Sequence, residues 1–450
     1  MLPQLTSRNR FLFPALRYSR ALQINTLTVN FTVGGYMTLT PEIAKRYEFD
    51  WEILDVIMGG HSAIDSGTSL RIRSAEDANR FMDCYGYDID NPIEKAELFG
   101  NFQEALSFIR RYFLQPDNAE GLKLEVPRKI AELSDIGSLI TLASSTAPGQ
   151  ALTGHWACSI IKIMHTIAHM DKDLRSNYFA DIQTQILDRF YKIIHRDENG
   201  QVILGRDARD PDRVELVSFE SKPKKGRDSV ILKLLHKPEN VAEDIFDRVG
   251  IRFVTKNRFD AVRIVKLLKD RYVIMPANIK PSRSKNTLID TESFSHEVSG
   301  LLNQVESGSL TSGDLHQKLV DFCERTETEG GDKDNPHTSR HYRALQFTGR
   351  QLIKIKNPLY DELKAVKSAM KGKTIPDEIG KIIERIDLRN LQKEIRFFYP
   401  FEVQIFDEIS HQENLAGRSS HANYKKSQIQ AAMRRVLGEL MRFSEANAQN

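Results

Sequence analysis

The chain has 450 residues, with 64 basic and 61 acidic side chains, 40% hydrophobic and 28% charged content. It is long enough for two or three domains, each with its own core, and its nearly cancelling charge means that any nucleotide or nucleic-acid site must be a local patch. Cys84, Cys158 and Cys323 form neither a disulfide framework nor a metal spacing, and no apolar run nears the ~20 residues that span a bilayer, so a cytoplasmic protein without a membrane partner is expected.

The first segment holds Arg8, Arg10, Arg17 and Arg20, with no acid before Glu42. It lacks the continuous apolar stretch of a secretory signal and reads as a transit peptide or, more plainly, a basic arm. Residues 1–195 read as a mostly helical domain of unassigned role. Leu98, Phe102, Leu106 and Ile109 recur at helical spacing, Pro127 suits a helix start, and residues 177–195 form an amphipathic helix that ends at a DENG turn. Within this half His165 and His169 lie four apart, a zinc-compatible spacing, but Thr166 stands where a metalloprotease needs Glu. A packed or partner-bonded pair is the expectation.

From Gln201 the texture changes. VELVSF, IRFVT, YVIMP, ALQFTG, QLIKI and FEVQIF read as strands, with FDAVRIVKLLKDR as a helix among them. This alternation predicts an α/β or α+β domain over 196–450. Two insertions interrupt it, at about 277–340 and 357–396, each with amphipathic helical stretches.

Three groups in this half carry chemistry. Lys222, Lys224, Lys225 and Arg227 crowd a turn at Gly226, and Ser229 opens an apolar helix with Lys233 one turn in. Cations on a loop at a helix N-terminus suit a triphosphate, although such a loop also serves as a solvated surface. Asp247 precedes the strand Val249–Val254, where Gly250 permits close backbone approach; an acid there caps a turn or holds Mg²⁺ against phosphates. Glu402, on a strand of the same domain, supplies a second carboxylate. Two such acids and a lysine loop are a minimum kit for metal-assisted phosphoryl chemistry.

In order and spacing these residues resemble the synthetase domain of the RelA/SpoT alarmone enzymes. Lys225, Ser229 and Lys233 match its K-x-x-x-S-x-x-x-K loop, and Asp247, Gly250, Ile251 and Arg252 its Asp strand. Tyr342, Arg343 and Leu345 match its tyrosine strand. From Glu402, with Gln404, the intervals of 9, 15, 19, 22 and 23 residues reach His411, Gly417, His421, Tyr424 and Lys425 without a gap. The resemblance covers about 215–426. Departures are Pro223, Arg340, His341, Gln346, Phe406 and Asp407 in place of the family's usual residues, and a lengthened segment before Tyr342.

The resemblance implies an α+β chain whose second domain is a mixed-sheet, nucleotidyltransferase-like fold with helical insertions. It implies a magnesium-dependent pyrophosphokinase of the stringent response, which moves the β,γ-pyrophosphoryl group of ATP to the 3′-hydroxyl of GDP or GTP. Asp247 and Glu402 would be catalytic and hold Mg²⁺. Lys225, Arg227, Ser229, Lys233 and Arg252 would bind the ATP phosphates, and Tyr342, Arg343, Gln404, His421 and Lys425 the acceptor. Because the departures cluster near the acceptor, a tRNA 3′ end or an adenine nucleotide is the alternative acceptor, and Lys280, Arg283 and Lys285 suit a phosphodiester backbone. A non-catalytic nucleotide-binding regulator is the second alternative. The family's long members hydrolyse alarmone through an adjacent His-Asp pair, a dipeptide absent from this chain, so synthesis without hydrolysis is expected. The helical half is left as a surface for an oligomer contact or a regulatory partner.

Overall fold

A computed structural model describes Arg46, Phe49, Leu54, residues 57–59, Ile72 and most of the chain from 74 to 448. Outside the described residues are 116–123, 146, 148, 208, 223–225, 237–244, 246, 327–341, 374–375, 386–387, 389–390, 417–420 and 449–450, with the side chains of 416, 421–424 and 447–448. The chain divides into two compact units, Met1–Phe49 and Asp50–Asn450. The helices and the sheet named below belong to the second unit.

Helices come first and a mixed sheet comes after them, with 61% of the described residues helical around a seven-stranded sheet. Ser74 and Asn91 accept first-turn N–H bonds at the starts of α1 (Ala75–Tyr85) and α2 (Pro92–Phe108), the capping that short polar residues provide. A π turn, Ile109–Phe113, continues α2. Then come α3 (Arg128–Ala131), α4 (Ile136–Ala143), α5 (Ala151–Asp171) and α6 (Phe179–Tyr191). The helix predicted to reach His195 stops at Tyr191, because Ile194–Arg196 pairs as strand β1 with β2 (Val202–Leu204) across the DENG turn.

The rest of the sheet is β3 (Val214–Ser221), β4 (Gly250–Thr255), β5 (Lys285–Asn286), β6 (Leu345–Lys356) and β7 (Glu394–Asp407). Its order is β1-β2-β3-β4-β7-β6-β5; among these strands only β4 and β7 run parallel. ALQFTG and QLIKI are one strand, β6, joined at Gly349, where a Cβ would come within 2.8 Å of the Phe401 ring. YVIMP is not a strand. Tyr272 takes a left-handed φ of 56°, and the N–H groups of Tyr272 and Val273 return to Lys269 and Leu268 to close the C-terminus of α8 (Arg258–Asp270). Val273 and Ile274 are apolar because they plug the core beneath that cap.

Helix α7 (Arg227–His236) comes after the basic loop, and α9 (Thr291–Glu306) and α10 (Ser312–Arg325) lie in the first insertion. The second insertion, α11 (Pro358–Met370) and α12 (Asp377–Arg385), caps the β6–β7 hairpin. After β7 come α13 (Glu408–Ala416) and the long α14 (His421–Ala448).

Two apolar cores result. One joins α1, α2, α4 and α5 with α7 and the Ala432–Leu440 stripe of α14, so helices from both halves of the sequence share it. The other packs α6 and α8 on one face of the sheet, through Ile251, Phe253, Val403, Ile405 and Phe347. Helix α7 buries Val230, Ile231, Leu232, Leu234 and Leu235 in the first core. All three cysteines are free thiols, and no helix among the described residues is long and apolar enough to cross a membrane.

Candidate active site

Alternation along a strand sends successive side chains to opposite faces. Since Ile251, Phe253, Val403 and Ile405 face the core, the residues between them line the other face. Cross-strand pairs there are Gly250 with Glu402 and Arg252 with Gln404, continued by Glu402 with Thr348 and Gln404 with Gln346. This second face is polar.

Glu402 is its centre and is only 8% exposed. Its carboxylate accepts from Lys222 Nζ at 3.0 Å, Gln404 Nε2 at 3.0 Å and Gln346 Nε2 at 2.7 Å. Tyr342 donates its hydroxyl to Gln346 Oε1 at 3.3 Å, and Gln404 reaches the same oxygen at 3.4 Å. Glu402, Gln404 and Tyr342, expected together, therefore meet through Gln346. An ionised carboxylate offers about four acceptor positions, so three donors leave one for a substrate group.

Asp247 sits at the same end of the sheet. The Glu402 N–H donates to Val249 O at 2.9 Å, and Asp247 is two residues earlier, so its Cα lies within about 7.6 Å of that of Val249. Arg248 anchors the turn: buried, it donates to Asp173 at 3.1 Å and to Ser176 at 3.0 Å, on the short helix Leu174–Tyr178. Asp247 pairs with Lys233 Nζ at 2.5 Å. Among the described residues each candidate carboxylate thus meets a lysine, Lys222 at Glu402 and Lys233 at Asp247.

Arg252 donates to Glu220 at 3.3 Å and lies 5.7 Å from the centre of the Phe406 ring. His411 packs on that ring too, and burial, with Arg252 nearby, lowers its pKa below the usual histidine value. Tyr342 meets Phe406 edge-on, with Lys285 Nζ 5.3 Å from its ring centre. The backbone of Arg343 is held by Asn414 of α13, and its guanidinium reaches Thr287 O at 3.5 Å.

Other expected residues are placed differently. Arg227 forks onto Glu104 of α2 and Asp171 of α5 at 2.5–2.8 Å, a clamp between α7 and the helical core. Its neighbour Asp228 accepts from Arg111 and Tyr112, which the π turn carries. Ser229 lies in the first turn of α7, its N–H on Gly226 O at 3.0 Å. Lys425 is exposed on α14. Lys225 and the side chain of His421 lie outside the described residues. His165, of the paired histidines, accepts or shares a bond with Tyr85 at 2.7 Å, and the His165 and His169 rings lie 4.4 Å apart.

Lys222 is expected among the loop cations but not on Glu402, and Gln346 and Arg248 are absent from the expected site. Lys222 had a signal: strand alternation carried past Glu220 puts it on the polar face opposite Gly250. Gln346 stands at a departure from the family pattern, and only the sheet register shows it bonded to Glu402.

Among the described residues no three His, Cys, Asp or Glu side chains cluster as a protein-only metal cage. Two acceptor-only carboxylates at one strand end nevertheless fit Mg²⁺, which takes one or two carboxylates and completes its shell with phosphate oxygens and water. Compared with protein-family models, curated proteins and solved structures, the chain matches none.

Proposed function

We propose that the chain is an ATP-dependent pyrophosphokinase whose acceptor is the 3′-hydroxyl of GDP or GTP, used in the cytoplasm. The observation that carries this reading is the buried carboxylate of Glu402, ringed by donors and set at the same strand end as Asp247. It is supported by the motif order of the sequence, of which Glu402, Gln404, Asp247, Lys233 and Tyr342 now belong to one region.

In the reaction the acceptor O3′ forms a bond to the β-phosphorus, the bond from that phosphorus to the α,β-bridging oxygen breaks, and AMP leaves. Glu402 has one acceptor position left, which serves either to take the hydroxyl proton or to bind the metal with Asp247. Asp247 and Glu402 are the residues that would hold Mg²⁺, which would offset charge on the triphosphate. Lys233, Lys222 and the loop carrying Lys225 supply the remaining cations, since such transfers ask mainly for alignment and charge neutralisation. Tyr342 offers a ring for the acceptor base.

A second acceptor class is favoured by one observation. Lys285 pairs with Gln346 across β5 and β6, and the Lys280 N–H donates to Thr348 O at 2.9 Å. This brings the stretch holding Lys280, Arg283 and Lys285 to the edge beside Tyr342, which suits an RNA 3′ end. Purified protein with Mg²⁺, ATP labelled in the β,γ-phosphates, and GDP, GTP, ATP or deacylated tRNA separates the readings. Label on a guanine nucleotide supports the first and label on RNA the second; no transfer to any acceptor leaves a non-catalytic nucleotide-binding module.

A further inference from the structure

The polar face continues past Glu402. Beyond the Thr348–Glu402 pair, the same alternation gives the pairs Arg350 with Pro400, Leu352 with Phe398, Lys354 with Arg396, and Lys356 with Glu394. Here β6 and β7 form a two-stranded ribbon. Gln351, Ile353 and Ile355 turn inward, while Arg350, Leu352, Lys354 and Lys356 are exposed in strict alternation. The ribbon is fastened from behind: Gln185 of α6 exchanges two bonds with the Lys354 backbone, at 2.9 and 3.1 Å, and its carbonyl accepts from Gln351 at 2.8 Å.

The outward face is unlike an ordinary solvated strand. Phe398 is 51% exposed at its middle, beside Leu352 at 39%. Four cations surround the pair. Among the described residues Arg350, Lys354 and Lys356 have no ion-pair partner, and of the four Arg396 alone is matched, by Glu394 at 2.8 Å. A hydrophobic ring flanked by such cations at strand spacing is what a polyanion with flat apolar units requires: phosphates between the cations and a base on the ring. The exposed stretch runs from Arg350 to Lys356, about 20 Å at roughly 3.4 Å per residue, enough for a strand of about three nucleotides, and buried Thr348 and Pro400 separate it from Glu402.

The geometry points to a binding track for single-stranded nucleic acid on the outward face of the β6–β7 ribbon. Single strands are favoured over duplex because a base must be unstacked to cover Phe398. This inference goes beyond the transfer reaction and does not require it, since binding needs neither ATP nor a reacting hydroxyl.

The test is fluorescence anisotropy with the full chain, without ATP, using a labelled twelve-nucleotide oligoadenylate RNA, its DNA counterpart and a duplex of equal length. The single strands should bind, the RNA and DNA arms reporting whether the 2′-hydroxyl matters, and the duplex should bind more weakly. Phe398→Ala should weaken binding about fivefold to a hundredfold, the loss of one stacked base. Replacing Arg350, Lys354 and Lys356 together by Gln should lower the slope of log affinity against log salt by about 2, near 0.7 for each phosphate no longer neutralised. All three cations are exposed, so unfolding midpoints should match the parent. The inference is overturned if no single strand binds at low salt, if duplex binds equally well, or if both folded variants bind like the parent. Transfer from ATP is measured separately, so neither result decides the other.

Discussion

Lys222 reaches Glu402 by laying its stem across Gly250. A Cβ at 250 would come within 2.6 Å of Lys222 Cδ and 3.3 Å of its Cβ, while the ammonium sits 3.0 Å from Glu402 Oε2. The glycine on one strand therefore makes room for the cation that partners a carboxylate on the next.

Gly250→Ala should then act on the ion pair as well as on packing. The expected loss of stability is about 1–3 kcal/mol, typical of an overfilled contact, together with a drop in transfer. Adding Lys222→Ala should restore part of the stability without restoring transfer. Urea unfolding of both single variants and the double variant gives the coupling; additive losses would show that the stem is not the obstacle.

Glu402→Gln and Asp247→Asn each preserve volume and remove a negative charge at the proposed centre. Both should lower transfer at least about a hundredfold, the scale of losing one preorganised electrostatic group. Thermal unfolding should remain cooperative. A variant that keeps near-parental turnover would remove its residue from the mechanism.

Arg227 stands in the phosphate-loop motif, yet its guanidinium forks onto Glu104 and Asp171. Arg227→Met should reduce stability by about 1–2 kcal/mol, as expected for a forked, partly exposed pair network. Glu104→Gln with Asp171→Asn should do the same while leaving the arginine. If the clamp is its role, both variants lose stability alike and KM for ATP stays within about twofold of the parent. A KM that rises only when Arg227 is lost would return it to the phosphates.

His165 should make stability fall in acid. Burial, with His169 beside it, pushes its pKa down to about 4 from 6.5, while Tyr85, raised to about 12 by burial, keeps its proton for His165 Nδ1. The folded state disfavours the protonated ring. Its contribution is thus complete above pH 6.5 and disappears as pH falls towards 4, by at most about 3 kcal/mol. Urea unfolding of the parent and His165→Gln across pH 4–7.5 should show the difference between them narrowing in acid. A difference independent of pH would contradict the assignment.

Local pattern is what made most of the fold legible. Helical spacing from Leu98 to Ile109 and a strand from Phe401 to Phe406 appear as expected, because periodicity registers the local geometry before any partner is known, although this strand is buried on both faces. YVIMP misled for the same reason: buried Val273 and Ile274 look like strand residues, whereas the left-handed Tyr272 that turns them into a plug has no local signature.

By itself the sequence determined the helical and strand periods, the order of the motifs, and the placing of Glu402 and Gln404 on one strand face. Only the tertiary structure decided that Lys222 lies on Glu402, Gln346 stands behind it, and Arg227 turns away to Glu104 and Asp171. These partners are 180, 56, 123 and 56 positions apart in the chain. A side chain's type limits which bonds it can make, but the choice among distant carboxylates is made by strand register and helix packing, which bring one of them within reach.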